Sequence, residues 1–318
     1  MLCLVTNPTI DRQIRTTSVV LGSVSRSTHD SSVPGGKPAN VARAALAVGV
    51  KARLLALLPD QGASWYLARL EEQGLACRSV GFPGVVRQTV ILFELGGRTT
   101  VINGQGATVP PGAWQHFCEQ AANSARTGEW TVISGSFPPS VDRHQVDQLV
   151  TALRQVGSQI AVDTGPAWLG WLLDHKPDLV TPNLAEAHAF LTGDKATEQV
   201  ETGSQALPRA ALAAHQLTAA GAKRAVVTAG RAGVAWVEPG RQGQIAGLDV
   251  PVASPIGAGD AFLGGLVGQL ESGTDFPQAV YWGMAAASSA IGQWVPGMAQ
   301  AAATEKWHAV VTERDKTT

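Results

Sequence analysis

Short apolar runs alternate with longer amphipathic stretches along most of this chain. Each run is rich in Val, Ile and Leu, lacks a polar face and is bounded by polar residues, Gly or Pro, which is typical of strands in a parallel sheet. Six such runs predict strands at 2–6, 52–58, 130–134, 159–163, 179–181 and 224–228.

The stretches between these strands have the character of helices, and Pro38 takes the first-turn position of one of them. Their alternation with the strands is the pattern of βαβ units. We therefore expect one doubly wound α/β unit over residues 1–318, built on a mostly parallel sheet. The predicted helices are 38–48, 62–72, 111–125, 143–155, 184–191, 204–220, 260–270, 276–291 and 301–312.

Two segments break this alternation. Residues 14–32 are rich in Ser, Thr and Val without a helical period, and residues 87–103 are two extended runs joined at a Glu-Leu-Gly-Gly sequence, 94–97, that predicts a hairpin. We expect these segments, bounded at about 13–34 and 86–104, to form a small sheet beside the main one. Such an insert is often a lid or a dimer surface, and ordinary surface hairpins are the alternative interpretation.

The composition narrows the class of protein. The chain is 45% hydrophobic and 15% charged, with a formal net charge of −1, which excludes disorder and gives no basic field for nucleic acid or an anionic membrane. The start of the chain lacks the pattern of a signal peptide, and no apolar run is long enough to span a membrane. Three separated cysteines without C-x-x-C spacing indicate a reducing cytoplasm.

Familiar hydrolase and metal patterns are missing from the sequence. The seven histidines show neither H-x-x-x-H nor H-E-x-x-H spacing, so no zinc site is predicted. The G-x-S-x-G sequence of a serine hydrolase is absent, as are the Walker and dinucleotide-binding glycine patterns.

The strongest local signal is the run Ser-Pro-Ile-Gly-Ala-Gly-Asp-Ala-Phe at 254–262, directly before an apolar helix. Gly257, Ala258 and Gly259 would present backbone N–H groups at the positive end of that helix, which favours an anion. In phosphoryl transfer, Asp260 would accept the proton of the attacking hydroxyl. The alternative is a tight glycine loop followed by a capping aspartate.

A second glycine pair opens a helix at 34–44. Gly35 and Gly36 would let a sugar lie against the backbone, Asn40 offers both a donor and an acceptor, and Lys37 offers a positive charge. The alternative interpretation is a solvated lysine and an ordinary surface asparagine.

Two further turns follow predicted strands, where open α/β sheets bind ligands. Asp11, in Asn-Pro-Thr-Ile-Asp at 7–11, would bind two sugar hydroxyls at the end of the first strand. Ser136, in Ser-Gly-Ser-Phe-Pro-Pro at 134–139, would contact substrate or phosphate. Simple turns explain both sequences nearly as well.

Arginines lie in both irregular segments. The guanidinium groups of Arg26 and Arg87 suit bidentate binding of phosphate, although solvated arginines are the default interpretation.

Nucleotide and metal contacts have weaker signals. Asn183 and Glu186 have the spacing of a capping box, and a functional Glu186 would organise water around Mg²⁺. Thr228, Gly230 and Gly233 end a strand in a glycine turn that either approaches a nucleotide or is a plain hairpin.

In this order and at these separations, the motifs resemble those of the phosphofructokinase B group of ribokinase-like sugar kinases. The resemblance covers nearly the whole chain, and Gly-Ala-Gly-Asp at 257–260 matches the signature of the family. It implies a three-layer α/β core with a small β lid, ATP and Mg²⁺ as co-substrates, and transfer of the γ-phosphoryl group to a sugar hydroxyl.

Carried over position by position, the resemblance makes Asp260 the catalytic base and Gly257, Ala258 and Gly259 the anion hole. It places Asp11, Gly36 and Asn40 at the sugar, Arg87 and Asn103 on the side of the substrate next to the lid, and Asn183, Glu186, Thr228 and Gly230 near the nucleotide and its metal. From the same motifs we add Gly35 and Ser136 to the predicted substrate site, and Gly233 and Gly257 to the predicted nucleotide site.

Three shorter patterns resemble the branch of 1-phosphofructokinase and tagatose-6-phosphate kinase: Gly22-x-Val24-x-Arg26, Gly-Gly-Lys-x-x-Asn with Lys37, and Asn103-x-x-Gly106. The acceptor of that branch is a phosphorylated ketohexose. That acceptor would give Arg26, Lys37 and Arg87 a role as phosphate receptors. The sequence departs from the branch at Thr181, where a lysine near the nucleotide phosphates is usual, and at Pro38, which stiffens the backbone beside the sugar.

We therefore expect a cytoplasmic kinase acting on a ketohexose phosphate, and a homodimer formed through the lid. A kinase for an unphosphorylated sugar or nucleoside is one alternative. A non-catalytic regulator that binds sugar phosphate or nucleotide is the other, and Thr181 is its main support.

Overall fold

The computed structural model describes residues 1–194 and 203–316. Its strands are β1 (Leu2–Val5), β2 (Thr9–Thr16), β3 (His29–Gly35), β4 (Arg53–Gln61), β5 (Ala76–Val85), β6 (Arg87–Glu94), β7 (Thr99–Asn103), β8 (Trp130–Ser134), β9 (Gln159–Asp163), β10 (Leu179–Val180), β11 (Ala225–Thr228), β12 (Gly233–Glu238) and β13 (Arg241–Ala246). Its helices are α1 (Lys37–Ala47), α2 (Ala63–Glu72), α3 (Pro111–Ser124), α4 (Arg143–Val156), α5 (Pro166–Leu173), α6 (Leu184–Thr192), α7 (Ala206–Ala219), α8 (Ala258–Glu271), α9 (Phe276–Ala290) and α10 (Ala301–Lys316).

Nine of these strands form one sheet in the order β13-β12-β11-β10-β9-β8-β1-β4-β5. Seven neighbouring strands of this sheet run parallel: β5, β4, β1, β8, β9, β10 and β11. The strands β12 and β13 are added antiparallel at the edge next to β11. Because β1 lies between β4 and β8, the strand order reverses beside it, which creates a crevice at the carboxyl ends of these strands.

Helices cover both faces of this sheet and complete three layers. Alternate residues of β1 point to opposite faces: Leu2 and Leu4 join one hydrophobic cluster, and Cys3 and Val5 join the other. The first cluster is completed by α3 to α7, and the second by α1, α2 and α8 to α10. This confirms the predicted doubly wound α/β architecture.

Glycines allow α8 to pack closely between α1 and α9. A Cβ at Gly264 would lie 2.4 Å from the carbonyl oxygen of Val41, and a Cβ at Gly265 would lie 2.7 Å from the Cβ of Ala286. Any side chain at these positions would push the helices apart. The close packing brings the first turn of α8 beside the first turn of α1.

The other four strands form a small sheet in the order β3-β2-β6-β7. β2 pairs in parallel with β6, while the β2–β3 and β6–β7 pairs are antiparallel. The expectation that Asp11 ends the first strand is wrong, because β1 ends at Val5 and Asp11 lies within β2. The chain therefore enters the small sheet at Thr9, earlier than the polar pattern indicates.

Three regions of secondary structure were not predicted. The strand β5 lies at the sheet edge and mixes exposed polar residues with Gly and Pro. The hairpin β12–β13 follows a glycine turn. The short helix α5, Pro-Ala-Trp-Leu-Gly-Trp-Leu-Leu, is too uniformly apolar to show a helical period.

Among the described helices, none combines the length and hydropathy needed to cross a membrane.

Candidate active site

The first turn of α8 forms the centre of the site. Gly257 caps this helix with φ 80°, a left-handed conformation that favours glycine, and a Cβ there would lie 2.7 Å from the backbone nitrogen of Gly297. Asp260 lies in the same turn and is 6% exposed. The helix therefore combines the amides of its first turn, which lack acceptors within the helix, with one buried carboxylate.

Asn40 reaches Asp260 from the neighbouring helix α1. Its Nδ2 donates to Oδ2 of Asp260 at 2.7 Å. Burial raises the pKa of Asp260 to about 6, whereas the positive charge of Lys37 and the hydrogen bond from Asn40 act in the opposite direction. At neutral pH, Asp260 is thus mostly ionised but more basic than an exposed aspartate.

Arg43, one turn further along α1, is 2% exposed. Its Nη1 donates to Oδ1 of Asn40 at 2.5 Å and to the carbonyl oxygen of Pro296 at 3.3 Å, and its Nη2 donates to the carbonyl oxygen of Pro34. Its Nε donates to Oε1 of Gln73 at 2.7 Å. A buried guanidinium with this many partners is a fixed part of the site.

Asp11 is a second buried carboxylate beside these groups. A Cβ at Gly35 would overlap its carboxyl group, at 2.1 Å from Cγ, so glycine is required there. Burial raises the pKa of Asp11 to about 7, although the charges of Arg43 and Arg87 lower it. Its Oδ1 is buried without a hydrogen-bond partner, so Asp11 retains the capacity to accept a hydrogen bond from a ligand.

Lys37, the first residue of α1, lies between two carboxylates. Its Nζ is 3.3 Å from Oδ2 of Asp163 and 3.7 Å from Oε1 of Glu186. Burial lowers the pKa of Lys37, but the charges of Asp163, Glu186 and Asp260 outweigh that effect and raise it above its usual range. Gly36, which caps α1 with φ 102°, places Lys37 at this point.

A cleft of about 620 Å³ opens in front of these groups. Gly36 and Lys37 line it, whereas Asp11 and Asp260 do not: Asp11 packs against Gly35, and Asp260 is bonded by Asn40 on the helix of Lys37. The other lining residues come from α1, β6, β7, β8, α5 and α6 and from the loops after β1, β7, β8 and β9: Asn7, Pro38, Arg87, Asn103, Gly104, Gln105, Gly106, Ser134, Gly135, Ser136, Phe137, Pro139, Gly165, Trp168 and Glu186. The volume is suited to a small organic ligand.

The remaining residues predicted to bind the acceptor enter this cleft in different ways. Arg87 donates to the carbonyl oxygens of Asn7, at 3.1 and 3.3 Å, and Gly104, at 3.3 Å. Asn103 accepts from Oγ1 of Thr89 at 3.1 Å, and Ser136 Oγ accepts from Nδ2 of Asn7 at 3.1 Å. These contacts hold the small sheet against the loop after β8.

Arg26 is not brought into this cleft. It is exposed in the loop between β2 and β3, where its carbonyl oxygen accepts from Oγ1 of Thr16. Thr16 ends β2, whereas Asp11 lies near the start of that strand. Within one chain, Arg26 is therefore at the far end of the small sheet from the buried carboxylates.

The residues assigned to the nucleotide lie at the ends of neighbouring strands. Asn183 and Glu186 form a reciprocal capping box at the start of α6, with hydrogen bonds of 2.8 and 3.0 Å. Asn183 also forms a β-bridge with Thr228, the last residue of β11. Gly230 begins a short 3₁₀ turn from β11 to β12. Gly233 packs on the backbone of β13, since a Cβ there would lie 2.0 Å from the carbonyl oxygen of Ile245.

Three hydroxyls at the ends of β8, β9 and β10 are buried without hydrogen-bond partners: Ser134 Oγ, Thr164 Oγ1 and Thr181 Oγ1. They follow one another across adjacent strands of the sheet. Buried polar atoms of this kind indicate places that water or a ligand completes. Thr181 brings no positive charge to the strand end where the resemblance leads us to expect one.

The sequence analysis missed three residues of this site. Arg43 had a detectable signal, because it lies three residues after Asn40 and therefore on the same face of α1. Asp163 was predicted only as the end of a strand, and its approach to Lys37 depends on tertiary packing. Gly297 had no local signal: a Cβ there would lie 2.5 Å from the carbonyl oxygen of Asn40, contributed by a distant part of the chain.

Comparisons with known proteins confirm the resemblance inferred from the motifs. The pfkB family carbohydrate kinase model matches residues 2–295. A 1-phosphofructokinase of Rhodobacter capsulatus is 26% identical over 292 residues, covering 91% of this chain and 90% of that protein.

Solved structures give the same result. Phosphofructokinase-2 from Escherichia coli in complex with fructose-6-phosphate superimposes with a TM-score of 0.87 at 25% identity, covering 98% of this chain and 99% of that one. The same enzyme is also described in a tetrameric inhibited form. Ribokinase from Thermotoga maritima, 18% identical with a TM-score of 0.71, covers 96% of this chain and 98% of its own and shares the fold.

Proposed function

Because the chain belongs to the pfkB family of carbohydrate kinases, we propose that it transfers the γ-phosphoryl group of ATP to a hydroxyl of a phosphorylated ketohexose. The observation that carries this proposal is the pair of buried carboxylates, Asp11 and Asp260, each in contact with a close neighbour of the cleft residues Gly36 and Lys37: Asp11 with Gly35, and Asp260 with Asn40. Arg87 lines the same cleft. The relatives named for 1-phosphofructokinase and the fructose-6-phosphate complex support this class of acceptor.

Asp260 is the group we assign to proton transfer. Its Oδ2 accepts a hydrogen bond from Asn40, so Oδ1 accepts the proton of the acceptor hydroxyl. As this proton is transferred, the hydroxyl oxygen bonds to the γ-phosphorus of ATP, and the bond between the γ-phosphorus and the leaving ADP breaks. The amides of Gly257, Ala258 and Gly259, at the positive end of α8, stabilise the negative charge of the transferred group. Burial supports this role, because it makes Asp260 a stronger base than an exposed carboxylate.

Asp11 orients the sugar in this proposal. Its unpartnered Oδ1 accepts a hydrogen bond from a sugar hydroxyl, and Gly35 and Gly36 let the sugar approach the backbone. The acceptor hydroxyl is thereby held beside Asp260, which converts the reaction into a unimolecular step.

Arg87 is the phosphate receptor that the geometry favours among the three basic residues proposed from the sequence. Lys37 is occupied by two carboxylates, and Arg26 lies outside the cleft of its own chain. Replacing Arg87 by Gln should raise KM for a phosphorylated ketose by about tenfold or more and leave KM for free fructose unchanged. Arg69→Gln is the matched control, since Arg69 pairs with Glu72 on the exposed side of α2.

A divalent cation, Mg²⁺, accompanies ATP in this proposal. Within residues 1–194 and 203–316 no cluster of three metal-binding side chains occurs, which fits Mg²⁺ held mainly by nucleotide phosphates and water. Asp163 and Glu186, which both pair with Lys37, are the carboxylates that would orient that water. When bound, Mg²⁺ would neutralise charge on the phosphates.

The experiment that tests the function measures ADP release from MgATP with fructose 1-phosphate, fructose 6-phosphate, tagatose 6-phosphate, fructose, ribose and adenosine. Strong preference for one phosphorylated ketose is the expected result. Preference for a neutral acceptor would overturn the phosphate-receptor role of Arg87, and ligand binding without ADP formation would favour a regulator.

We also propose that the protein is a homodimer formed through the small sheet. The outer face of this sheet carries alternate apolar residues on β2, β6 and β7 that are half-buried or exposed: Ile14, Val90, Leu92 and Ile102. An exposed small sheet with two open edges is stabilised by pairing with a second copy. Sedimentation should show a dimer, and Ile102→Asp should yield monomers.

The compartment we propose is the cytoplasm. All three cysteines are free thiols in this structure, and Cys3 and Cys118 are buried, which suits a reducing environment.

A further inference from the structure

The guanidinium of Arg43 joins four separate parts of the chain. It bonds to Asn40 on α1, to the carbonyl oxygen of Pro34 in β3, to the carbonyl oxygen of Pro296 before α10, and to Gln73 after α2. A buried positive charge would be strongly destabilising without such partners. Lysine could keep the charge but has no planar fork to reach these acceptors together.

The contact with Asn40 has a directional consequence. A side-chain amide can present either its oxygen or its NH₂ group to a neighbour, and the two ends have opposite polarity. Arg43 has only donors, so it fixes Oδ1 of Asn40 on its own side. Nδ2 is thereby directed at Asp260, where it donates to Oδ2 at 2.7 Å.

We propose that Arg43 is a positioning residue for phosphoryl transfer: it acts on Asp260 through Asn40, by fixing which end of the Asn40 amide faces the carboxylate. The proposal rests on the proposed function, in which Asp260 accepts the proton. Arg43 bonds to Asn40 and makes no hydrogen bond or ion pair with Asp260. Its positive charge also interacts with Asp260 over a longer distance, so a test of the amide must keep that charge.

Other charged groups also act on Asp260. Lys37 favours the ionised carboxylate, while Asp163, Glu186 and Asp11 disfavour it. Among the neutral contacts, the hydrogen bond from Asn40 favours ionisation. If the amide is free to turn, that hydrogen bond is lost or replaced by a repulsive oxygen, and the pKa of Asp260 rises above about 6.

The variant Arg43→Lys tests whether Arg43 acts on Asp260 through Asn40, because it retains the positive charge and removes the planar guanidinium group. The measurement is the pH dependence of kcat with saturating acceptor and MgATP, where Asp11 is occupied by the sugar. We expect the acidic limb to move to higher pH by about one unit, with KM for MgATP unchanged. Gln73→Ala is the control, since it removes the Nε partner and leaves the Asn40 contact in place.

A double variant separates positioning from a merely structural role. In an Asn40→Ala background the acidic limb should already be shifted, and adding Arg43→Lys should move it no further. Equal shifts from Arg43→Lys in both backgrounds would overturn the proposal, as would an unshifted limb in the single variant. If Arg43→Lys does not fold, Arg43→Gln is the replacement variant, because glutamine can still donate to Asn40. The acidic limb of its pH profile of kcat should then shift less than that of Asn40→Ala.

A readout without catalysis keeps this inference distinct from the proposed function. The carboxyl ¹³C resonance of Asp260, identified by its loss in Asp260→Asn, reports its ionisation directly. A protein inactive on every acceptor would refute the proposed function, while an upward shift of this titration in Arg43→Lys would still support the action of Arg43. An identical titration in wild type and variant would refute that action.

Discussion

At the amino ends of the parallel strands of the nine-stranded sheet (the amino edge), the N-terminal amine of Met1 lies 3.3 Å from Glu129 and 3.1 Å from Glu271. Arg53 lies 2.6 Å from Glu129 at the same edge. At the carboxyl ends of the same strands (the carboxyl edge), the hydroxyl of Thr181 is buried without a hydrogen-bond partner, and so is Oδ1 of Asp11 in β2 of the small sheet. Glu129 and Glu271 at the amino edge are paired within the protein, whereas these two oxygens are not. Polar groups satisfied by the chain stabilise the fold, whereas those left open mark the place of a ligand.

The two ends of α8 show the same difference. Glu271, at its end, accepts from the backbone nitrogen of Trp130 at 2.9 Å and pairs with Met1. Asp260, at its start, is held by Asn40 in a position where burial raises its pKa. One helix thus carries a structural carboxylate at the amino edge and a reactive one at the carboxyl edge.

The largest expected effect comes from Asp260→Asn. Losing the base should lower kcat by about a thousandfold, because the amide cannot accept the proton, while the Kd of the acceptor changes little. Steady-state kinetics and calorimetric titration of the acceptor measure the two quantities. Glu271→Gln is the control at the other end of the helix and should leave kcat unaltered; activity near wild type in Asp260→Asn would remove the proposed base.

The next effect concerns Asp11 and pH. Burial raises the pKa of Asp11 to about 7, well above the ordinary range of an aspartate, so the folded state binds the proton more tightly than the unfolded state. Stability without ligand should therefore fall as pH rises from about 4 to about 7, by on the order of 3 kcal/mol. Urea unfolding at pH 5 and pH 8 measures this loss, and Asp11→Asn should reduce it. An undiminished loss in that variant would assign the pH dependence to other groups.

A smaller effect is expected at the amino edge. Glu129→Gln should lower the free energy of unfolding by about 2 kcal/mol, since Glu129 is 8% exposed and serves both Met1 and Arg53. The denaturation midpoint reports this change, and kcat and KM should match those of the wild type. Altered kinetics would show that the two edges are energetically coupled.

The smallest effect tests the unpartnered hydroxyls directly. Thr181→Val removes a buried hydroxyl without a partner and should stabilise the protein by about 1 kcal/mol. Ser158→Ala at the amino edge removes a hydroxyl that bonds to Thr131 at 2.7 Å and to the carbonyl oxygen of Glu129 at 2.8 Å, and should destabilise it by a similar amount. If Thr181→Val and Ser158→Ala shift the midpoint of thermal unfolding in the same direction, the comparison between the two edges is contradicted.

Much of the fold was predictable because each signal is local. Apolar runs mark β1, β4 and β8 to β11, and helical stretches mark α1 to α4 and α6 to α10. Edge strands such as β5 were missed, because half of their residues face solvent and their sequence does not differ from a loop. The helix α5 was missed because it is short and apolar on all sides.

The candidate site was predictable to the extent that its residues lie in glycine-led helix starts. Gly257 to Asp260 and Gly36 to Asn40 could each be found alone. Their meeting, with Asn40 donating to Asp260 across 220 residues of sequence, could not be found, because it depends on the close packing of α1 and α8 at Gly264. The separation of Arg26 from the cleft likewise depends on how the small sheet is oriented.

By itself, the sequence determined the α/β alternation, the two glycine-led turns and the identity of the reactive groups, since propensity, periodicity and glycine conformation act over a few residues. Only the tertiary structure decided which groups are buried, which are paired and which are left open. Lys37 is paired with Asp163 and Glu186, Arg43 is buried against Asn40, and Asp11 keeps an unpartnered oxygen. Burial and distance set these differences, and both arise from contacts between residues far apart in the chain.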